Sequence, residues 1–219
     1  MRLPRVDSHI VLEDAGVSLG GQTILRGLTL TVAAGEVLGI AGPNGSGKTT
    51  LLRLLATLIR PHHGAGWVLG AALGTSQVYE VRRQIGLIGH TPAVIGELSL
   101  RENLEHATRL AGEEPARIEP ALRVVGLDEA AHRTVEASSY GMLRRTEAAR
   151  LVITQPRLLL LDEASSGLDV DARALIDALI VRTTASNGSV VMVSHDARLL
   201  ADRAGRVLGL TAGRLEPAA

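Results

Sequence analysis

Cysteine is absent from this 219-residue chain. Disulfides and thiolate metal sites are therefore excluded. Long apolar runs are missing as well, and none approaches the ~20 residues of a membrane-spanning helix. The N-terminal stretch MRLPRVDSHIVLED has no apolar core of signal-peptide length. These absences predict a soluble intracellular protein. Excess charge of either sign is lacking too: 23 basic residues balance 23 acidic ones. Such a surface has no broad field to attract nucleic acid or anionic lipid, so no nucleic-acid partner is expected. Lysine is nearly missing. Lys48 is the only lysine, and every other basic residue is arginine. A lysine kept at one place marks a site that needs a compact ammonium rather than a planar guanidinium.

What is present is 46% hydrophobic residues, enough to bury a core. Three short apolar runs read as buried parallel strands: EVLGIAG (36–42), RLLLLDE (157–163) and SVVMVSH (189–195). Each ends in polar chemistry, and ligands of open parallel sheets bind beyond the carboxyl ends of the strands. IVLEDAGVSL and LTLTVAAGE read as an antiparallel layer, to which GWVLG and IGLIG would add. From about residue 98 to residue 148 the pattern is helical, as in LRENLEHATRLAG and PALRVVGL. The prediction is one α/β domain over residues 1–219. Its catalytic core would span about 1–97 and 149–219, with a helical lobe inserted at about 98–148.

Gly42-Pro43-Asn44-Gly45-Ser46-Gly47-Lys48-Thr49 fits G-x-x-x-x-G-K-[ST] between a strand and a helix. Glycines let the backbone curl until successive N–H groups face phosphate oxygens. The helix starting near Lys48 adds its positive dipole end. Lys48 would reach the β- and γ-phosphates, Thr49 would ligate Mg²⁺, and Thr50 follows in the same turn. Leu51, Leu52, Leu54, Leu55, Leu58 and Ile59 would bury this helix, and Pro61 would end it. A glycine-rich turn without a ligand would not account for the flanks or the lone lysine.

Asp162 and Glu163 emerge from four leucines. One carboxylate would serve Mg²⁺, and its neighbour on the other side of the pleat would polarise a water for attack on the γ-phosphate. His195 stands at a similar edge. A lone histidine is more often structural, but a third equipped strand end favours a functional one.

In this order, GPNGSGKTT, IGLIGH, SSYGMLRR, LLLLDE, SSGLD and SH resemble the motifs of ABC-type ATPases, the nucleotide-binding subunits of ABC transporters. The resemblance runs from about Ile10 to Leu215. It implies a P-loop NTPase core with a mainly parallel sheet, an antiparallel β layer and a helical lobe. It also implies ATP sandwiched between two chains, in which Ser139 and Gly141 of one copy touch the γ-phosphate held by Lys48 of the other. Glu163 would orient water, His195 would hold the γ-phosphate and Glu163 in register, and Asp169 would cross the dimer interface. Separate integral membrane permease subunits would dock around His90 and the helical lobe, placing the chain at the cytoplasmic face of the cell membrane.

Three positions depart from the family pattern. Leu19 stands where the family usually stacks an aromatic on adenine, which predicts relaxed base preference. His90 replaces a glutamine that serves the metal. Imidazole suits hard Mg²⁺ poorly, so His90 would act through water or transmit nucleotide state. Tyr140 replaces a glycine of the signature, so its ring must point away from the phosphate. The stretch IGLIGHTPAVIGELSLRENLEHATRLAG is similar to the haem exporter ATPase of cytochrome c maturation, and also to ABC-2 type drug exporters. DNA-repair members would need a long coiled-coil insertion, and translation-factor members a second set of motifs. Neither is present.

Overall fold

The structure is a computed structural model that describes residues 7–163 and 170–217. A hairpin opens it. Strands β1 (Ser8–Leu19) and β2 (Gln22–Ala33) pair antiparallel. Gly20 and Gly21 turn the chain between them, both at positive φ, as a two-residue hairpin loop demands. After β3 (Val37–Ala41) and α1 (Lys48–Leu55), β4 (His63–Val68) pairs antiparallel with β1. The short β5 (Ala71–Ala72) completes a four-stranded sheet of order β2-β1-β4-β5. GWVLG thus joins the antiparallel layer as predicted.

IGLIG does not. Residues Ile85–Ile88 form β6 and pair parallel with Leu158–Leu161 of β7 (Leu158–Asp162). Its neighbour there is the all-leucine run of β7, and Gly86 and Ile88 of β6 are buried against it. With β8 (Ser189–Ser194), β9 (Arg206–Thr211) and β10 (Arg214–Pro217) the main sheet has the order β10-β9-β3-β8-β7-β6. All its pairs are parallel except the edge hairpin β9–β10.

Every residue of β7 is buried, because the sheet is covered on both faces. Side chains alternate across the pleat. Leu158 and Leu160 join the core shared with the antiparallel sheet and α1, including Leu12, Leu28, Leu51 and Leu54. Leu159 and Leu161 face the other way, into a core built with α3 (Leu100–Ala111), α4 (Ile118–Val124), α5 (Tyr140–Thr154) and α6 (Val170–Ala185). Short helices α2 (Val78–Val81) and α7 (Ala197–Ala201) complete the chain. The fold is α/β, as the sequence predicts.

Helix α1 is shorter than expected. It stops at Leu55, and Thr57 takes a left-handed φ of 60° well before Pro61. The chain leaves the helical path there, and Leu58, expected to be buried, is 57% exposed. Helix α5 crosses residue 148 without a break and leads directly toward β7, so one helix serves both the lobe and the sheet.

Candidate functional site

Strands β3, β8 and β7 lie side by side, so their carboxyl ends present Ala41, Ser194 and Asp162 along one edge. A cleft of about 520 Å³ opens there. Asn44, Gly45, Gly47, Lys48, Thr49, Thr50, Asp162, Glu163 and His195 line it, joined by His90 from beyond β6 and Ile24 from β2.

The loop before α1 is shaped for a ligand. Gly47 sits at φ 107° as the helix cap, a conformation that a Cβ would strain. At Gly45 an added Cβ would meet nothing within 4 Å, so the loop faces open space. Helix α1 has no side-chain cap, which leaves its first N–H groups to other acceptors. The Ser46 hydroxyl is buried and has no partner among the described residues.

Lys48 is only 7% exposed. Its Nζ donates to the carbonyls of Gly42 (2.6 Å) and Pro43 (3.1 Å) and lies 3.9 Å from Glu163 Oε1. Three oxygens thus surround one compact ammonium, the geometry for which lysine rather than arginine is suited. Thr49 Oγ1 donates to Asp162 Oδ2 at 2.9 Å. This hydroxyl–carboxylate pair offers hard oxygen donors suited to Mg²⁺. Among the described residues no cluster of three or more His, Asp or Glu side chains could hold a metal by itself. The pair therefore suits an ion that shares its coordination with phosphate oxygens and water.

Glu163 adopts φ 50° at the end of β7. Its carboxylate accepts from Ser194 Oγ (2.9 Å), from the His195 backbone N–H (2.7 Å) and from His195 Nδ1 (3.0 Å). Burial by itself raises the carboxyl pKa, but these donors together outweigh it and hold the group below its ordinary range. Glu163 is thus an ionised carboxylate at neutral pH, aimed across the cleft from Lys48.

The other predicted residues are distributed as follows. Gly42 and Pro43 serve through their carbonyls. Ser139 caps α5 and accepts from the Met142 N–H at 3.3 Å. Neither Ser139 nor Gly141 lines the cleft of its own chain among the described residues. Asp169 lies outside the described residues. Tyr140 turns its hydroxyl to the carbonyl of His90 at 3.1 Å, so its ring is directed at the His90 loop.

Leu19 ends β1 and is 41% exposed, and it is Ile24, on the paired strand, that lines the cleft. The sequence reading missed Ile24, because the hairpin register that brings β2 to the loop is not legible in a single run of residues. It also named Ser194 only as part of a strand end, although that hydroxyl holds Glu163 directly.

An N–H cradle, a caged ammonium, a hydroxyl–carboxylate pair and an ionised glutamate face one cleft. That is the equipment for holding a polyphosphate and directing water at its end. Comparison with known proteins agrees. Residues 25–166 match the ABC transporter family. The chain is 40% identical over 216 residues to a daunorubicin resistance ATP-binding protein of Streptomyces coeruleorubidus, a match that covers 92% of this chain and 67% of that one. It is 34% identical over 209 residues to a cytochrome c biogenesis ATP-binding export protein of Cupriavidus metallidurans, covering 94% and 98%. A solved ATP-binding subunit of an ABC transporter superposes with a TM-score of 0.85 at 26% identity, over 94% of this chain and 87% of that one. The chain belongs to the ABC transporter family as a nucleotide-binding subunit, and it binds and hydrolyses ATP.

Proposed function

We propose that this chain is the motor of a membrane exporter and that its hydrolytic sites are completed between two copies. The observation that carries the reading is the division of the site. Lys48, Thr49, Asp162, Glu163 and His195 share one cleft, while Ser139 and Gly141 lie off it at the start of α5. Ser139 is exposed, and its hydroxyl proton remains available to donate. In this reading, residues 42–50 enclose the triphosphate in backbone N–H groups, with Lys48 against its terminal phosphates. Thr49 and Asp162 hold Mg²⁺, which neutralises phosphate charge, and His90 contributes through water. Glu163 takes the proton of the attacking water. Ser194 and His195 keep its carboxylate ionised and aimed. Ser139 and Gly141 of a second copy close on the γ-phosphate, with Asp169 at the contact between copies.

No helix among the described residues is long and apolar enough to cross a membrane. In this reading the permease consists of separate chains, and the motor works at the cytoplasmic face of the cell membrane. They would dock around His90 and the lobe of residues 98–148, beside a cavity of about 270 Å³ lined by Leu104, Leu110 and Glu147 of the lobe and by the flanking Ala93, Ile95 and Arg150. Leu110 is 74% exposed there, an apolar group awaiting cover.

Two cargo classes are weighed. Haem export for cytochrome c maturation is the first reading, favoured by the 85–112 stretch. Drug or small-molecule export is the second, favoured by the 40% identity to the daunorubicin resistance protein.

Substitution tests the site. Lys48→Ala is expected to abolish ATP binding. Glu163→Gln is expected to keep binding and to lower hydrolysis by about 10²-fold or more, the contribution of a general base. Wild-type turnover in Glu163→Gln would remove that role from Glu163. Stimulation of the chain–permease complex by haem, or instead by an amphipathic drug, decides between the cargo readings.

A further inference from the structure

The loop of residues 89–93 has no regular secondary structure, yet it carries His90 into the nucleotide cleft. Something must hold it. We infer that Tyr140, Arg144 and Glu147 clamp this loop to α5, so that they act as positioning residues for hydrolysis.

All three stand on one stretch of helix. Arg144 is 6% exposed and Glu147 is 1% exposed, in the middle of a helix packed on the apolar core. An ion pair taken out of water persists only where its remaining donors and acceptors are met. Here the loop meets them. Arg144 Nη1 donates to Glu147 Oε2 (2.8 Å) and to the Gly89 carbonyl (2.7 Å). Nη2 donates to the His90 carbonyl (2.5 Å) and to the Tyr140 hydroxyl (2.7 Å), and Nε reaches the same hydroxyl at 3.0 Å. The Tyr140 hydroxyl donates its own hydrogen bond to the His90 carbonyl. The second oxygen of Glu147 accepts from the Ala93 N–H at 2.9 Å. The guanidinium also lies over the Tyr140 ring, 5.1 Å from its centre.

Two carbonyls of the loop are thereby fixed to the Arg144 fork, and one N–H to the Glu147 carboxylate that the fork also holds. A hydrophobic trio would pack as well but would not set backbone positions. The consequence is geometric. His90 lines the cleft, and Ser139, adjacent to Tyr140, caps the same helix. Through the clamp these two points move as one body. A displacement of His90 by nucleotide is transmitted to the start of α5, and the reverse also holds. This inference rests on the nucleotide reading of the cleft.

The test compares the wild-type chain with Tyr140→Phe, Arg144→Lys and Glu147→Gln. It measures amide hydrogen exchange at 89–93, ATP affinity, and kcat and KM for hydrolysis. In each variant the loop amides are expected to exchange about fivefold faster or more. The kcat is expected to fall about three- to tenfold, as for a small misplacement of a reacting group. KM and ATP affinity are expected to stay within about twofold. Arg144→Lys keeps the charge but loses the fork, and it is expected to behave like Glu147→Gln.

If the buried variants do not fold, Tyr140→Phe decides, because it removes one hydroxyl from a side chain that is 48% exposed. Unchanged loop exchange and unchanged kcat in Tyr140→Phe, with wild-type ATP binding intact, overturn the clamp alone. A loss of melting temperature without any change in exchange or kcat overturns it as well, since it marks a merely structural role. Failure of the wild-type chain to bind ATP in this cleft overturns the nucleotide reading, and the role in hydrolysis with it.

Discussion

At two buried or half-buried residues the neighbours decide the charge. Glu163 stays ionised because three donors converge on it. His9 shows the opposite balance. It is 6% exposed at the seam between the two sheets, with Nδ1 2.8 Å from Ser189 Oγ and Nε2 3.3 Å from Arg157. The Ser189 hydroxyl donates a hydrogen bond to the Ala33 carbonyl at 2.7 Å, so Nδ1 donates to Ser189 Oγ and Nε2 accepts from the guanidinium. Burial first, and the Arg157 charge second, lower the His9 pKa below its ordinary 6.5. The unfolded chain therefore binds this proton more readily than the folded one. The stability due to neutral His9 is complete above pH 6.5 and is lost as the pH falls from there toward the lowered native value. Thermal melts from pH 7.5 to 5 are expected to show a drop that is smaller in His9→Gln. Equal slopes for the two chains would remove His9 as the cause. Residues whose chemistry is local in sequence, such as Lys48, Thr49 and the Asp162–Glu163 pair, were legible from the sequence alone. Ile24, and the link from Arg144 and Glu147 to the His90 loop, were not. Their partners lie far along the chain, and no periodicity records which carbonyl an arginine will meet.

Elements divide in the same way. Helix α3 announces itself in SLRENLEHATRLAG, and the structure gives it both halves of a capping box. Ser99 Oγ accepts from the Glu102 N–H at 3.2 Å, and Glu102 Oε2 accepts from the Ser99 N–H at 2.7 Å. Gly112 closes the helix at φ 72°. Ser99→Ala is expected to cost about 1 kcal/mol of stability, the usual value of such a cap. Urea unfolding measures it through the midpoint at unchanged m-value. Strand β6 is the counter-example. Four apolar residues carry no signal that separates a parallel strand from an antiparallel one. Only the pairing of Ile85–Ile88 with Leu158–Leu161 assigns it. Helix α1 likewise stops at Leu55 because the backbone turns away at Thr57, which the apolar residues beyond it conceal.

At the scale of the whole molecule, the decisive feature is that the chain does not bring its own signature residues to its own phosphate cradle. A single copy holding ATP would leave the γ-phosphate contacted from one side only, with Ser139 exposed at the end of α5. Two copies related by a twofold axis would satisfy both cradles at once, as isologous contacts require. In the proposed pair nucleotide would form part of the interface, and dimerisation would depend on its presence by mass action. In the proposed arrangement hydrolysis would remove that contact, so the closed pair would accumulate only when cleavage is blocked. Light scattering is therefore expected to give Glu163→Gln a mass near the 23.0 kDa of one chain without ATP, and about twice that with ATP and Mg²⁺. Ser139→Asp in the same background places a carboxylate where the second copy's phosphate must approach. It is expected to keep ATP affinity and lose the doubled mass, because like charges there repel. A Ser139→Asp chain that still doubles with ATP would place the completing residues elsewhere. A Glu163→Gln chain that binds ATP yet stays at one mass, even with its membrane partner present, would mean that one copy is sufficient.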